Sequence, residues 1–239
     1  MSTFVDALKF IPDNSDLILR KTVEHLEYSG AAIAVSLAIA IPIGIWLGHI
    51  HRGSFLAINV SNVGRALPSL AIIAMGVAIL GLGFGNVLIA LVVLAAPPML
   101  TNAYVAIDGV DPSAVDAARG MGMTPGEVLL RVELPLALPL IFAGIRTAAV
   151  YVIATATLAA VAGGGGLGEI IVNQASYRLP GVVAASICVA GLALVAELAF
   201  AALQRAVTPR GLRSTPPLGP GARVVPAGEL TATQGALPR

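Results

Sequence analysis

Long apolar runs, separated by short polar stretches, dominate the chain from residue 29 onward. Five stand out: SGAAIAVSLAIAIPIGIWLG at 29–48, ALPSLAIIAMGVAILGLG at 66–83, VLIALVVLAAPPMLTNAYVAI at 87–107, LPLIFAGIRTAAVYVIATATLAAVAG at 138–163 and GVVAASICVAGLALVAELAFAAL at 181–203. A helix needs about 20 such residues to cross the hydrocarbon of a bilayer. Backbone groups in lipid must be satisfied within the segment, so runs of this length predict helices. The second run is short and is expected to extend backward. Pro42, Pro68, Pro97 and Pro98 fall within the runs, which membrane helices tolerate where neighbours or water satisfy the freed carbonyls. Abundant Gly, Ala and Ser predict spans that pack closely against one another.

The pattern changes after Thr208. TPRGLRSTPPLGPGARVVPAGELTATQGALPR is dense in Pro and Gly and has no apolar period, so 208–239 is expected to be a disordered tail. Residues 1–28 carry mixed charge and are expected to form an extracytoplasmic or interfacial segment ahead of a membrane domain at 29–207. The first long apolar run begins after that mixed-charge stretch, without a short apolar core and cleavage site. It reads as a retained helix rather than a signal peptide.

Composition agrees with a lipid-embedded chain. Of 239 residues, 57% are hydrophobic and 11% charged, where a soluble domain has about a quarter charged. The net charge of +1 implies no pull toward nucleic acid. A single cysteine, Cys188, forms no internal disulfide. His49 and His51 have no third ligand beside them, so no metal site is expected. Lys and Arg set the orientation. Arg52 and Arg65, Arg119 and Arg131, and Arg205, Arg210 and Arg213 fall on one side of a five-span chain. Lys9, Arg20, Lys21 and Arg178 fall on the other. The first side is the richer, which predicts an outside N-terminus and a cytoplasmic C-terminus.

One polar stretch interrupts the apolar pattern, DPSAVDAARGMGMTPGEVLLRVELPLALP at 111–139. Asp111 is placed to cap a helix with Pro112 at its first position, and Gly120 ends it. Thr124 and Glu127 have capping-box spacing with Pro125 between them, so a second helix is expected from Gly126 to Pro135. Asp116 and Arg119 lie one turn apart and are able to pair with each other or with a partner. Spacing alone allows either a loop lying in the interface or a helical hairpin for protein docking.

Within that stretch, DAARGMGMTPGEVLLRVELP resembles the EAA loop of permease subunits of ABC importers. Asp116-Ala117-Ala118, Gly122, Val132 and Leu134-Pro135 match the family spacing, with Asp116 in place of Glu and Val132 in place of Ile. LPSLAIIAMGVAILGLGFG, DGVDPSAVDAARGMGMT, VELPLALPLIFAGIRTAAV and ATATLAAVAGGGGLGE resemble the glycine betaine/carnitine/choline branch. Methionine-type permeases share parts of these branch features. The likeness covers about residues 30–205.

The resemblance implies an all-α membrane protein of about five transmembrane helices. It would be a type I ABC importer permease-like bundle with a cytoplasmic coupling helix in the loop 111–135. Asp116, Ala117, Ala118 and Gly122 would form the surface and joint that dock on a cytoplasmic ATP-binding subunit. Leu134 and Pro135 would set the angle of return to the bundle. ATP binding would bring two ATPase subunits together and carry the coupling helices with them. A second permease subunit, identical or similar, and an extracytoplasmic substrate-binding protein complete such an importer in the bacterial cell membrane. The solute implied is an osmoprotectant, such as the quaternary ammonium compounds glycine betaine, choline and carnitine, or proline. The alternative is another small solute such as methionine. A secondary transporter would predict inverted repeats or a path of buried acids, and no clear repeat is visible.

No nucleotide site, cofactor or covalent chemistry is expected in the chain. GGGGLGE at 163–169 lacks the lysine of a phosphate-binding loop and is read as a flexible turn or a contact for an external binding protein. Arg146 and Glu197 are costly in lipid and should face the bundle or an interface. They join Asn62, Arg65 and Ser69 as candidates for the translocation pathway. Aromatic residues make only 5% of the chain. An aromatic cage for a quaternary ammonium group is therefore expected in the external binding protein rather than here.

Overall fold

A computed structural model describes residues 2–55, 59, 62, 64 and 68–208. The candidate Arg65 and the predicted tail from 209 onward lie outside the described residues. All the regular structure among the described residues is helical. In chain order it comprises α1 (Ser2–Asp13), α2 (Ser15–His49), α3 (Ser69–Leu80), α4 (Phe84–Asp108), α5 (Pro112–Gly120), α6 (Pro125–Val128), a π turn (Leu129–Glu133), α7 (Leu134–Thr155), a 3-10 segment (Ala156–Ala162), α8 (Leu167–Val172) and α9 (Gln174–Val207).

Four helical stretches are long and apolar enough to cross a membrane: Ser15–His49, Phe84–Asp108, Pro125–Ala162 and Gln174–Val207. Only part of the second predicted span falls in α3, and between α2 and α4 the chain passes from the end where His51 meets Asp108 to the end where Gly83 meets Ala162. α3 holds 12 residues, about 18 Å of helix against a hydrocarbon layer of about 30 Å. Gly81 (φ 77°) and Gly83 (φ 131°) turn the chain there, and the predicted backward extension lies largely outside the described residues.

Two further differences from the sequence pattern have physical causes. The helix that carries the first apolar run begins at Ser15, well before residue 29. α2 passes through that position without a break, because its charged first half is internally satisfied: Lys21 pairs with Glu24 at 2.8 Å and with Glu169 at 2.6 Å. The helix expected to stop at Pro135 continues into α7. Proline has no N–H, and its ring collides with the carbonyl four residues back in a regular helix. The π turn ends two residues before Pro135, with Leu134 N–H bonded to the Leu129 carbonyl, and widens the helix where that collision would fall.

α2 packs along α4, α4 along α7, and α7 along α9, while α1 and α8 lie against α9. The approach of α2 to α4 depends on missing side chains. A Cβ at Gly44 would sit 2.6 Å from the Leu100 carbonyl oxygen, and one at Gly48 would sit 2.8 Å from that of Tyr104. Small residues admit helices this closely. The main core joins Ala32, Ala40, Ile73, Leu91, Met99, Ala148 and Val152. Large apolar side chains such as Ile79, Val195 and Leu198 face outward, as a lipid-facing surface requires.

Polar contacts gather at the two ends of the bundle. At one end α2 meets the 108–133 region through His49–Glu133 and His51–Asp108. At the other, Gly83 N–H donates to the Ala162 carbonyl at 2.9 Å, near the Lys21–Glu169 pair.

Candidate functional site

The polar insert folds as its capping residues require. Asp111 accepts a hydrogen bond from Ser113 N–H at 2.9 Å, with Pro112 at the first helical position. Thr124 and Glu127 form a full capping box: Glu127 N–H donates to Thr124 Oγ1 at 3.4 Å, and Thr124 N–H donates to Glu127 Oε2 at 3.0 Å. Between the two helices, Gly122 takes a left-handed conformation (φ 85°). Gly122 N–H donates to the Arg119 carbonyl at 2.9 Å and Met123 N–H to the Ala118 carbonyl at 3.2 Å. These two bonds define a Schellman motif in which Gly122, not Gly120, is the required glycine.

The insert has a small core of its own, formed by Val110, Val115, Ala118 and Val128 with Met123 and Val132 against them. This core sorts the predicted docking residues. Asp116, Ala117 and Gly122 are exposed. Ala118 is 1% exposed and takes no part in that face, because its methyl group packs inward where Met123 folds back over the helix end. Leu134 and Pro135 are half-buried at the junction of π turn and α7. The result is a rigid, capped helix with a shallow outer surface, suited to entering a cleft in another protein.

The pathway candidates fall in different places. Asn62 is exposed, and Ser69 is half-buried at the start of α3. Arg146 and Glu197 meet each other, with Nε and Oε1 3.3 Å apart, so they act as a pair between α7 and α9. A cavity of about 360 Å³ lies elsewhere, lined by Gly64, Leu94, Pro98, Thr147 and Tyr151. Its volume is in the range of small-molecule sites. Neither Thr147 nor Tyr151 was singled out from sequence, although their i, i+4 spacing puts them on one helix face.

The glycine-rich loop is tied down rather than free. Gly166 N–H donates to Glu24 Oε2 at 2.9 Å, and Gly165 N–H donates to the Tyr28 hydroxyl at 3.4 Å. His25 Nε2–H donates to the Ile153 carbonyl at 2.9 Å, just before α7 gives way to the 3-10 segment. One face of α2, from Lys21 to Tyr28, thus holds the chain from Ile153 to Glu169. Charged residues spaced three and four apart ahead of an apolar helix were the available signal. Their partners lie more than a hundred residues away, where spacing carries no information.

The family profile described as "Binding-protein-dependent transport system inner membrane component" matches residues 40–209. The chain belongs to that family. It is similar to the choline transport system permease protein OpuBB of Bacillus subtilis, with 37% identity covering 86% of this chain and 95% of that protein. It is 40% identical to the carnitine transport permease protein OpuCB of Listeria monocytogenes, covering 85% and 94%. The osmoprotectant import permease protein OsmW of Salmonella typhimurium is 32% identical, covering 87% and 100%. Among solved structures, an inward-facing MetNI methionine ABC transporter chain superposes with a TM-score of 0.71 at 22% identity, covering 81% of this chain and 97% of that one. An amino acid ABC transporter chain superposes with a TM-score of 0.61 at 20% identity, covering 85% and 96%.

The chain is therefore a multi-pass permease subunit of an ABC importer with the type I permease fold. It is a transport component and not an enzyme. A subunit of this kind works with an ATP-binding subunit and a substrate-binding protein.

Proposed function

We propose that this permease moves a quaternary ammonium osmoprotectant, such as glycine betaine, choline or carnitine, across the bacterial cell membrane. The observation that carries the proposal is the similarity at 37% and 40% identity, over most of both chains, to permeases named for choline and carnitine transport. The fold neighbours include a methionine transporter, but at 22% identity they speak for architecture alone.

The insert is the docking element for the ATP-binding subunit, with Asp116 and Ala117 on the contact face, Gly122 as the joint, and Leu134 and Pro135 at the return to the bundle. Its internal core and double capping support this role, since a stiff element transmits displacement that a slack loop would absorb. The insert and the C-terminus then face the cytoplasm and the N-terminus faces outward, which agrees with the excess of Arg on the insert side. One bundle of this size supplies half of a pathway, so a second permease subunit, the same chain or a similar one, completes it. Among the described residues lining the cavity, Tyr151 is the one aromatic, too little to cage a quaternary ammonium group. Selectivity then rests with the external binding protein.

The test is reconstitution with an ATP-binding subunit, a second permease subunit and a substrate-binding protein that co-purify with it, followed by ATP-dependent uptake of labelled glycine betaine, choline, carnitine and methionine. Saturable uptake of one of the first three, uncompeted by methionine, is expected. Uptake of methionine alone would overturn the substrate assignment.

A further inference from the structure

The C-terminal end of α2 reaches both ends of the insert. α2 finishes in its own Schellman motif: His51 N–H donates to the Gly48 carbonyl at 3.0 Å and Arg52 N–H to the Leu47 carbonyl at 3.2 Å. His51 occupies the left-handed position of that motif (φ 49°), where glycine or asparagine is usual. From there its Nδ1 lies 2.8 Å from Oδ1 of Asp108, the last residue of α4 before the insert. His49, in the last turn of α2, places Nδ1 2.6 Å from Oε2 of Glu133, which ends the π turn on the far side of the insert. Glu133 is 1% exposed, and among the described residues its Oε1 has no hydrogen-bond partner. A buried carboxylate held from one side depends strongly on that one partner. At its other end α2 carries Lys21, Glu24 and Tyr28, which hold the glycine-rich loop. Within α2 (Ser15–His49) these two groups of contacts stand about 30–40 Å apart along the helix axis.

We propose that His49 and His51 are positioning residues that fasten both ends of the insert to α2. Insert and helix then move as one body, and displacement at the ATPase reaches the glycine-rich loop along α2. This rests on the docking role proposed above for the insert. Two His–carboxylate pairs from one helix end, bracketing one insert, are what distinguish a fastening from ordinary packing. Neither pair is local in sequence, and each joins α2 to an element that follows it by more than fifty residues.

The test uses the complete importer in proteoliposomes, in a Cys188→Ala background. With His49→Cys and Glu133→Cys together, uptake should fall about ten-fold while ATP hydrolysis stays within about two-fold, the size expected of a lost mechanical coupling. Joining the two thiols with a short bifunctional thiosulfonate should return uptake to near the Cys188→Ala level. Unimpaired uptake before linking, or no recovery after it, would overturn the fastening. His49→Ala with Glu133→Gln removes the contact without stranding a buried charge. It should co-purify with the ATPase and transport as poorly as the unlinked cysteine pair; full transport would again overturn the proposal. Absence of uptake in the Cys188→Ala parent and wild type alike would instead strike the transport reading itself.

Discussion

Arg146 on α7 and Glu197 on α9 form an ion pair, Nε to Oε1, at 3.3 Å. Gln204 extends it: its Oε1 accepts from Arg146 at 3.4 Å, and its Nε2–H donates to the Pro139 carbonyl at 2.8 Å. Two charges that are each expensive in lipid thus satisfy one another across a helix interface, and the same contact stitches α7 to α9 near the insert. Both side chains keep about a third of their surface exposed (34% and 40%), which limits what the pair contributes.

A double-mutant cycle with Arg146→Met and Glu197→Gln should therefore show coupling of about 1 kcal/mol, the scale of polar contacts between membrane helices. The readout is thermal unfolding of the purified permease in detergent. Solute preference in the transporting complex should not change with either substitution. Strict additivity would remove the pair from the stabilising contacts, and a changed preference would return both residues to the pathway.

The glycine-rich loop makes a sharper steric prediction. A Cβ at Gly165 would run into Glu24 Oε2, the oxygen that holds both Lys21 and Gly166 N–H. Gly165→Ala should cost about 1–3 kcal/mol, as overpacking of a tight site does. The control is Gly191→Ala, in mid-α9, where a Cβ meets nothing within 4 Å and helix propensity alone predicts a gain of up to about 1 kcal/mol. Melting temperatures of the two variants should move in opposite directions. Equal shifts would mean that the loop yields.

What the sequence revealed and what it hid divide along physical lines. Local rules read the insert well. Asp111, Thr124 and Glu127 cap as their spacing predicts, because capping acts within three residues. Apolar run length located four crossing helices. Of the second run it located α3, whose end at the left-handed turns of Gly81 and Gly83 hydropathy does not register. Pro135 was read as a stop because proline breaks regular helices, and the π turn that admits it leaves no mark in composition. From sequence, His49 and His51 stood only as a pair without a third metal ligand. Their carboxylate partners are set by how α2 lies against α4 and α7, and only the fold supplies that.

Gly122 tests the joint of the insert. Its φ of 85° is strained for any side chain, yet a Cβ there meets nothing within 4 Å. The cost of Gly122→Ala is then one of backbone conformation, about 1 kcal/mol, and it falls on the angle between the two short helices. Gly122→Asn should retain more uptake than Gly122→Ala, because asparagine tolerates the left-handed region, and Gly122→Val should retain least. If the three variants are equal in uptake and in ATPase co-purification, the joint's geometry does not matter to coupling.

Asp111 gives the insert an acid limit. Its carboxylate accepts the Ser113 backbone N–H, and that bond, followed by the Ser113 side chain, holds its pKa below the ordinary value of 3.8. A group with a depressed pKa in the folded state contributes its full stabilisation above the unfolded value and loses it as pH falls through the folded one. The cap should therefore be constant from about pH 5 to 8 and weaken only below about pH 4. Hydrogen exchange at the Ser113 amide, corrected for intrinsic rate, reads this directly in the permease held in lipid nanodiscs. Protection should be flat across the neutral range and drop in acid. Asn caps without titrating, so Asp111→Asn should keep its protection in acid. A drop at neutral pH, or the same acid loss in Asp111→Asn, would show that some group other than Asp111 governs the order of the insert.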